Sequence, residues 1–261
     1  MNALSAEALR KAFAEARPDM PLIVDVGANN GDDSDFYLRK GFRVFAIEAD
    51  PDLVCELRDR FAQEIGQGRY LVENAAITDQ REPVVFYKNE FSEWSSTKDN
   101  TKATQANTFR TIEVPGDTLG HLLAPFLAIR YIKIDIEGCE LEGIASLGDL
   151  ASRVNYISFE INSDWQKVMA QLSEYGFGRF QLVRQGRDHL PRPPHPPREG
   201  GYVDTVFKNS MSGTFGEELP GEWIEHDEMV KAVWRCFKER RERVAQGQPS
   251  GWHDIHAMRR A

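Results

Sequence analysis

Leu22-Ile23-Val24-Asp25-Val26-Gly27-Ala28-Asn29-Asn30-Gly31 decides how the rest of this chain is read. An apolar run broken only by Asp25 suits a strand buried on both faces of a parallel sheet. It ends in a turn bounded by Gly27 and Gly31, and Asp32, Asp33 and Ser34 then open a helical stretch. Gly27 can take backbone angles that other residues avoid, and it lets a ligand approach the main chain. The free amides at the start of the following helix would face that ligand. Strand, glycine turn and helix in this order predict a nucleoside-cofactor site.

The spacing narrows the cofactor. A dinucleotide site wants G-x-G-x-x-G, because the pyrophosphate sits on the helix N-terminus. Here the pattern is G-x-x-x-G, with Asn29 where the second glycine should be, which crowds a pyrophosphate. A second strand, Arg43–Ile47, follows and its end carries Glu48. An acidic residue about 20 positions past the glycine turn is placed to accept hydrogen bonds from ribose hydroxyls. S-adenosylmethionine has the ribose but no phosphate, so it fits better than NAD. An ordinary tight turn in a βαβ unit would make Glu48 and the later acids coincidences.

Composition limits the alternatives. With 261 residues the chain can bury a full core, and one α/β domain with additions is the default. A formal net charge of −9 argues against nucleic acid as partner, since that would want a basic face. Cys55, Cys139 and Cys236 lie far apart without a C-x-x-C pair, which suggests neither disulfides nor zinc and fits a reducing compartment. No signal-like start and no apolar run approaching ~20 residues is found, so a cytoplasmic protein without a membrane partner is expected.

Read in order, Ser5 caps a first helix and Pro18 ends it. Asp50-Pro51 caps and opens another, with Leu53, Val54, Leu57 and Phe61 on one stripe. Tyr70–Ile77 reads as strand three, Glu82–Lys88 as an added antiparallel strand, and Arg110–Val114 as its return. The long polar stretch between them holds Phe91, Trp94, Ser95, Ser96 and Thr97, and a loop of that length is usually functional or mobile. Tyr131–Asp135 and Tyr156–Ile161 are strands four and five, and Phe180–Val183 and Tyr202–Phe207 are expected to be the last two. The proline-rich Arg184–Gly201 would then be a stiff loop joining them. Residues 208–261, with a helix over Asp227–Ala245, read as a C-terminal helical appendage packed on the domain formed by residues 1–207.

Ligands of open α/β sheets bind outside the carboxyl ends of the strands. Those ends carry Asp25 to Gly27, Glu48, Asn74 with Ala75, and Asp135 to Gly138, with Glu160 and Asn162 at strand five. The motifs IVDVGANNGDDS, VFAIEADP, NAAI, SSTK and IKIDIEGCELEGI resemble those of the FkbM-type methyltransferase family over about Leu22 to Asn162. The resemblance implies a class I S-adenosylmethionine enzyme: a doubly wound, mostly parallel seven-stranded α/β sheet of Rossmann-like type, methylating hydroxyl oxygens. It also implies roles. The turn carrying Asp25, Gly27, Asn29 and Gly31 would hold the methionine part, Glu48 and Ala49 the ribose, and Asn74 and Ala75 the adenine, with Asp135 beside the methyl. Where the family usually reads T-L-D-D-L, this chain has Thr118-Leu119-Gly120-His121-Leu122.

A neutral hydroxyl must lose its proton, which calls for a general base or a metal. Asp135 is the first candidate, Glu137 and Glu160 the next, and His189 and His195 could serve if the proline loop folds over the site. No metal is expected, although the three acids could gather around a divalent ion. Lys133 shares a strand face with Asp135, and a buried lysine needs a partner, for which Asp25 and Glu160 are the candidates. Arg187, His189, Arg192 and His195 are expected to form an acceptor wall, with Trp223, Trp234 and Trp252 as possible sugar platforms. The expected activity is O-methylation of a saccharide or glycosylated metabolite, a small-molecule or glycan acceptor. The rivals are an NAD-linked dehydrogenase, which lacks its second glycine and a Tyr-x-x-x-Lys pair here, and a scaffold that keeps the fold without turnover.

Overall fold

The computed structural model describes residues 5–99, 109–185, 192–208, 211–248 and 251–260. In chain order the elements are α1 (Ala6–Ala16), β1 (Leu22–Val26), α2 (Asp32–Arg39), β2 (Arg43–Glu48), α3 (Pro51–Arg60), α4 (Ala62–Gly66) and β3 (Tyr70–Asn74). Next come β4 (Ala76–Ile77), β5 (Val84–Asn89), β6 (Phe109–Val114), β7 (Gly116–Asp117), α5 (Leu119–Leu123), β8 (Ile129–Ile134), α6 (Glu140–Ala145) and β9 (Val154–Glu160). The last are α7 (Trp165–Glu174), β10 (Phe177–Gln185), α8 (His226–Ala245) and β11 (Trp252–Arg259).

The main sheet has seven strands in the order β10-β11-β9-β8-β1-β2-β3. The pairs β1–β2, β2–β3, β1–β8 and β8–β9 are parallel, and β11 runs antiparallel between β9 and β10. β1 is buried at every position, as a central parallel strand must be. Its alternation sends Leu22, Val24 and Val26 into one core, with residues of α1, α5, α6, α7 and α8. Ile23 points into the other, with α2, α3 and the extended segment around Val203 to Phe215.

Local signals act as expected at several helix ends. Ser5 accepts from the Ala8 amide, Asp50 accepts from the Asp52 amide ahead of Pro51, and Gly176 closes α7 with φ 88°. Thr118 caps α5 by accepting from His121 N. Asp164 stands at the start of α7 without capping by its side chain; Asn162 Oδ1 accepts the Asp164 amide instead, at 2.7 Å.

Three expectations are corrected. Tyr70–Ile77 is not one strand: Ala75 breaks it, and Ala76–Ile77 pairs with β7 outside the main sheet. The added antiparallel strand and its return are found as expected: β5 pairs with β6, in a two-stranded ribbon apart from the main sheet. Tyr202–Phe207 is not a strand. Its apolar residues Val203 and Phe207 pack on α2, where Phe207 meets the Phe36 ring edge-on at 5.0 Å. The last strand is β11, at the far end of the chain, so the terminal segment contributes to the sheet as well as covering it with α8. In β11 Ile255 and Ala257 fill the first core, while Asp254, hydrogen-bonded by Gln185, and His256, whose ring nitrogens have no partner among the described residues, are buried on the other face.

Candidate active site

One cavity of about 960 Å³ opens at the carboxyl ends of β1, β2, β8 and β9. At one end it is lined by Gly27, Asn29, Glu48, Ala49 and Ala75, joined by Ala76, Ile77 and Phe86. At the other it is lined by Asp33, Asp135, Glu137 and Glu160, with Arg184, Gln185, Met211, Ser212, Arg240 and Trp252. Of the residues expected from the sequence, Asp25, Gly31 and Asn74 stand behind this wall. Asp25 is fully buried and accepts from Ser34 Oγ at 2.7 Å. Asn74 Nδ2 donates to the Glu48 and Ala49 carbonyls at 2.9 and 2.8 Å, which fixes the end of β2.

The turn after β1 is shaped by its neighbours. Gly27 has φ 76° and its amide donates to Ile47 O at 2.9 Å. Asn29, with φ 47°, donates its amide to Glu48 Oε2 at 2.8 Å, while Glu48 Oε1 accepts from the Asp50 amide at 2.9 Å. Burial raises the Glu48 pKa, and the two amide donors act against that. A carboxylate has about four lone-pair positions, so two remain for a ligand in the cavity.

Lys133 lies beneath the turn, and its ammonium group meets Asp25 at 3.4 Å, Asp33 at 3.5 Å and Asp135 at 3.6 Å. It also donates to the Gly27 carbonyl at 3.2 Å. The structure therefore gives Lys133 the expected partner Asp25 and adds two acids the sequence did not suggest. Burial alone would lower the Lys133 pKa, but the surrounding carboxylates hold it well above the ordinary value. Asp33 is pushed up to about 7 by burial, with Lys133 opposing and Asp25 adding to the rise. Its oxygens accept from the Ser212 amide at 2.9 and 3.1 Å. Gln185 Nε2 donates to Ser212 O and to Asp254 Oδ2, each at 2.9 Å. Two buried acids on different elements thus hold the crossing segment at Ser212 against the cavity.

The SSTK motif forms a strap over the site. Ser96 pairs with Tyr87 on β5, and Ser96 Oγ donates to the Glu137 carbonyl at 3.0 Å. Thr97 Oγ1 lies 2.9 Å from Cys139 Sγ, and Lys98 Nζ reaches Glu142 at 2.9 Å. At the other side Ser92 Oγ donates to Asn29 Oδ1 at 2.9 Å. The strap therefore joins the turn after β1 to the turn after β8.

Asp135 ends β8 with its side chain 45% exposed, and Glu137 follows with φ 51°, an uncommon angle for a residue with a Cβ. Carboxylate oxygens of Asp135, Glu137 and Glu160 all lie within 4.8 Å of one another. Such a group can take a proton or hold a divalent cation. The described part of the proline segment beyond β10, residues 192–201, does not line the cavity. Gly201 N donates to Lys40 O at 2.7 Å, at the far end of α2, and Glu199 pairs with Arg130 at 2.7 Å. Arg192 and His195 do not line the cavity; Arg187 and His189 lie outside the described residues. Trp223 packs near Tyr156 at 5.8 Å and Trp234 against Trp165 at 6.1 Å, leaving Trp252 as the one of the three on the cavity wall. Gln185, Ser212 and Arg240 went unnoticed in the sequence, because only the fold brings them to the rim.

With the seven strands of the main sheet counted along the chain, their order is 3-2-1-4-5-7-6 with the seventh, β11, antiparallel; this order and a glycine turn facing an acid at the next strand end define the class I methyltransferase fold. The chain belongs to the FkbM methyltransferase family: the methyltransferase FkbM domain matches residues 25–178, more than half its length. Among solved structures it is similar to methyltransferase FkbM from Methylobacillus flagellatus KT, with 17% identity over 65% of this chain and 41% of that chain and a TM-score of 0.45. Precorrin-6y C5,15-methyltransferase from Geobacter metallireducens GS-15 shares 12% identity over 99% of this chain and 90% of that one, with a TM-score of 0.39. TrmK of M. capricolum, solved with S-adenosyl-homocysteine, shares 10% identity over 72% and 66%, with a TM-score of 0.37. These are likenesses of fold. No curated protein matches the chain.

S-adenosylmethionine is the cofactor of this methyltransferase. The residues present fit it: a buried carboxylate with free lone pairs at Glu48, apolar Ala75, Ile77 and Phe86 for a base, and a turn where backbone can meet ligand. Among the described residues no helix is long and apolar enough to cross a membrane.

Proposed function

We propose that this protein is an O-methyltransferase whose acceptor is a hydroxyl of a saccharide or glycosylated metabolite. The observation that supports this reading is Asp135, half-exposed on the cavity wall and grouped with Glu137 and Glu160. A neutral hydroxyl is a weak nucleophile that must give up its proton as it attacks, and a carboxylate at this point answers that need.

The cofactor supplies an electrophilic methyl group on a sulfonium. The turn at Gly27 and Asn29 holds its methionine part, Glu48 its ribose hydroxyls, and Ala75, Ile77 and Phe86 its base. Bound there, the cofactor would give up its methyl group to the acceptor oxygen and leave as S-adenosylhomocysteine, while Asp135 takes up the acceptor's hydroxyl proton and passes it to water, for which its exposure suffices. Lys133 anchors the Asp135 side chain from below. The Ser92–Lys98 strap limits water over the reacting atoms. Alignment of acceptor oxygen and methyl can supply ~7–11 kcal/mol of the barrier.

The test is to incubate the protein with methyl-labelled cofactor and a panel of sugars, sugar phosphates and glycosylated compounds, and to locate the label. Label on a hydroxyl oxygen of a saccharide is expected. Label on nitrogen or carbon, or cofactor bound with no label moved to any acceptor, would overturn the reading, the second outcome leaving a binding protein.

A further inference from the structure

Two arginines, half-buried Arg184 and exposed Arg240, line the cavity, and no ion pair neutralises either among the described residues. Arg184 sits near the end of β10 and Arg240 on the late turns of α8, and both line the cavity with Trp252. Arg184 lies opposite His253 in the β10–β11 pairing, next to Trp252, and Arg240 lies one helical turn after Cys236. Burial raises that thiol's pKa and Glu239 adds to the rise, while both guanidinium groups act against it. The two charges therefore share one neighbourhood although they come from different elements. Among the described residues neither guanidinium group has a hydrogen-bond or ion-pair partner.

That lack of partners is not a shortage of acids. The chain has 41 acidic residues against 32 lysines and arginines, and Asp33, Asp135, Glu137 and Glu160 line the same cavity. Elsewhere arginines that bridge elements are paired: Arg130 with Glu199 at 2.7 Å, Arg60 with Asp32 at 3.1 Å and Arg179 with Glu225 at 3.0 Å. Guanidinium groups bind phosphate and carboxylate through paired donors in a planar fork.

We propose that Arg184 and Arg240 form an anion subsite, so that the acceptor carries a phosphate or carboxylate group, with Trp252 as the face against which its ring lies. This rests on the methyltransferase reading of the cavity and adds the acceptor's charge to it. The acids around Asp135 would repel an anion at the reacting atoms, so the subsite also orients the acceptor: its anionic end goes to the arginines and its hydroxyl to Asp135. Bound this way, a neutral sugar would lack its anchor.

The test is calorimetric titration of the full chain saturated with S-adenosylhomocysteine, using pyrophosphate, glucuronate and glucose. At least one of the two anions should bind about tenfold or more tighter than glucose, and the tighter of them tells phosphate from carboxylate. The double variant Arg184→Gln/Arg240→Gln should lose that difference while keeping its S-adenosylhomocysteine affinity. The proposal is overturned if neither anion outbinds glucose, or if the double variant binds the anion as the wild type does. Should S-adenosylhomocysteine itself fail to bind, the methyltransferase reading falls, and the same titrations on cofactor-free protein still decide the subsite.

Discussion

A Cβ added to Gly27 would lie 1.9 Å from the carbonyl oxygen of Asp135. The turn after β1 and the end of β8 thus touch backbone to backbone, locked by the Asp135 amide donating to Val26 O at 3.0 Å. Gly27→Ala must both strain a positive φ, at about 1–2 kcal/mol, and force these two strand ends apart. A lower melting temperature together with loss of S-adenosylhomocysteine binding is expected. Gly41→Ala is the control: its φ is 93° but nothing lies within 4 Å of the added atom, so only the conformational cost should appear in thermal denaturation, with cofactor affinity kept.

Glu48 ties the amides of Asn29 and Asp50 and faces the cavity at once. Glu48→Ala should weaken cofactor binding by ~1.5–3 kcal/mol, the worth of hydrogen bonds to a charged acceptor. Titration calorimetry on the two proteins checks this, and equal affinities would remove Glu48 from the cofactor site.

Asp135→Asn should leave cofactor affinity nearly unchanged and lower turnover by ~10²–10⁴-fold. Single-turnover methyl transfer separates the two quantities. Normal turnover in the variant would move the proton to Glu137 or Glu160. If chelator abolishes wild-type activity and magnesium restores it, the three grouped carboxylates act through a cation instead.

Asp254 makes stability depend on pH. Burial pushes its pKa up to about 7, with Asp135 adding to the rise and the Gln185 hydrogen bond opposing it. The folded state therefore keeps a proton that the unfolded chain releases near its ordinary pKa of 3.8. This contribution is complete below that value and is lost as pH rises through 7. Asp254→Asn can keep the Gln185 contact without ionising. Its melting temperature relative to wild type should therefore be higher at pH 8 than at pH 5. An identical difference at both pH values would show that Asp254 is ionised in the folded protein throughout.

The cofactor half of this protein is legible in its sequence because its signals are local. Leu22–Val26 is apolar enough to be a central strand, Gly27 must be a glycine where Asp135 O leaves no room, and Glu48 ends the next strand. Each follows from a few consecutive residues and the period of a strand. The acceptor end needed the tertiary structure. Tyr202–Phe207 has the apolar alternation of a strand yet packs its Val203 and Phe207 on α2. Trp252–Arg259 places Asp254 and His256 at buried positions and still pairs with β9 and β10. There Asp254 takes a hydrogen bond from Gln185, while His256 stacks on Tyr131 with both ring nitrogens buried and unpartnered among the described residues, which lowers its pKa to about 3. Strand pairing depends on what lies alongside in space, and neighbours 70 or more positions away, such as Val183 for Asp254, are invisible to a local pattern. The chain's own pattern determined the glycine turn and Glu48 that line one part of the cavity; only the tertiary structure, with β11 closed between β9 and β10 and α8 laid over the sheet, decided that Arg184, Arg240 and Trp252 line another.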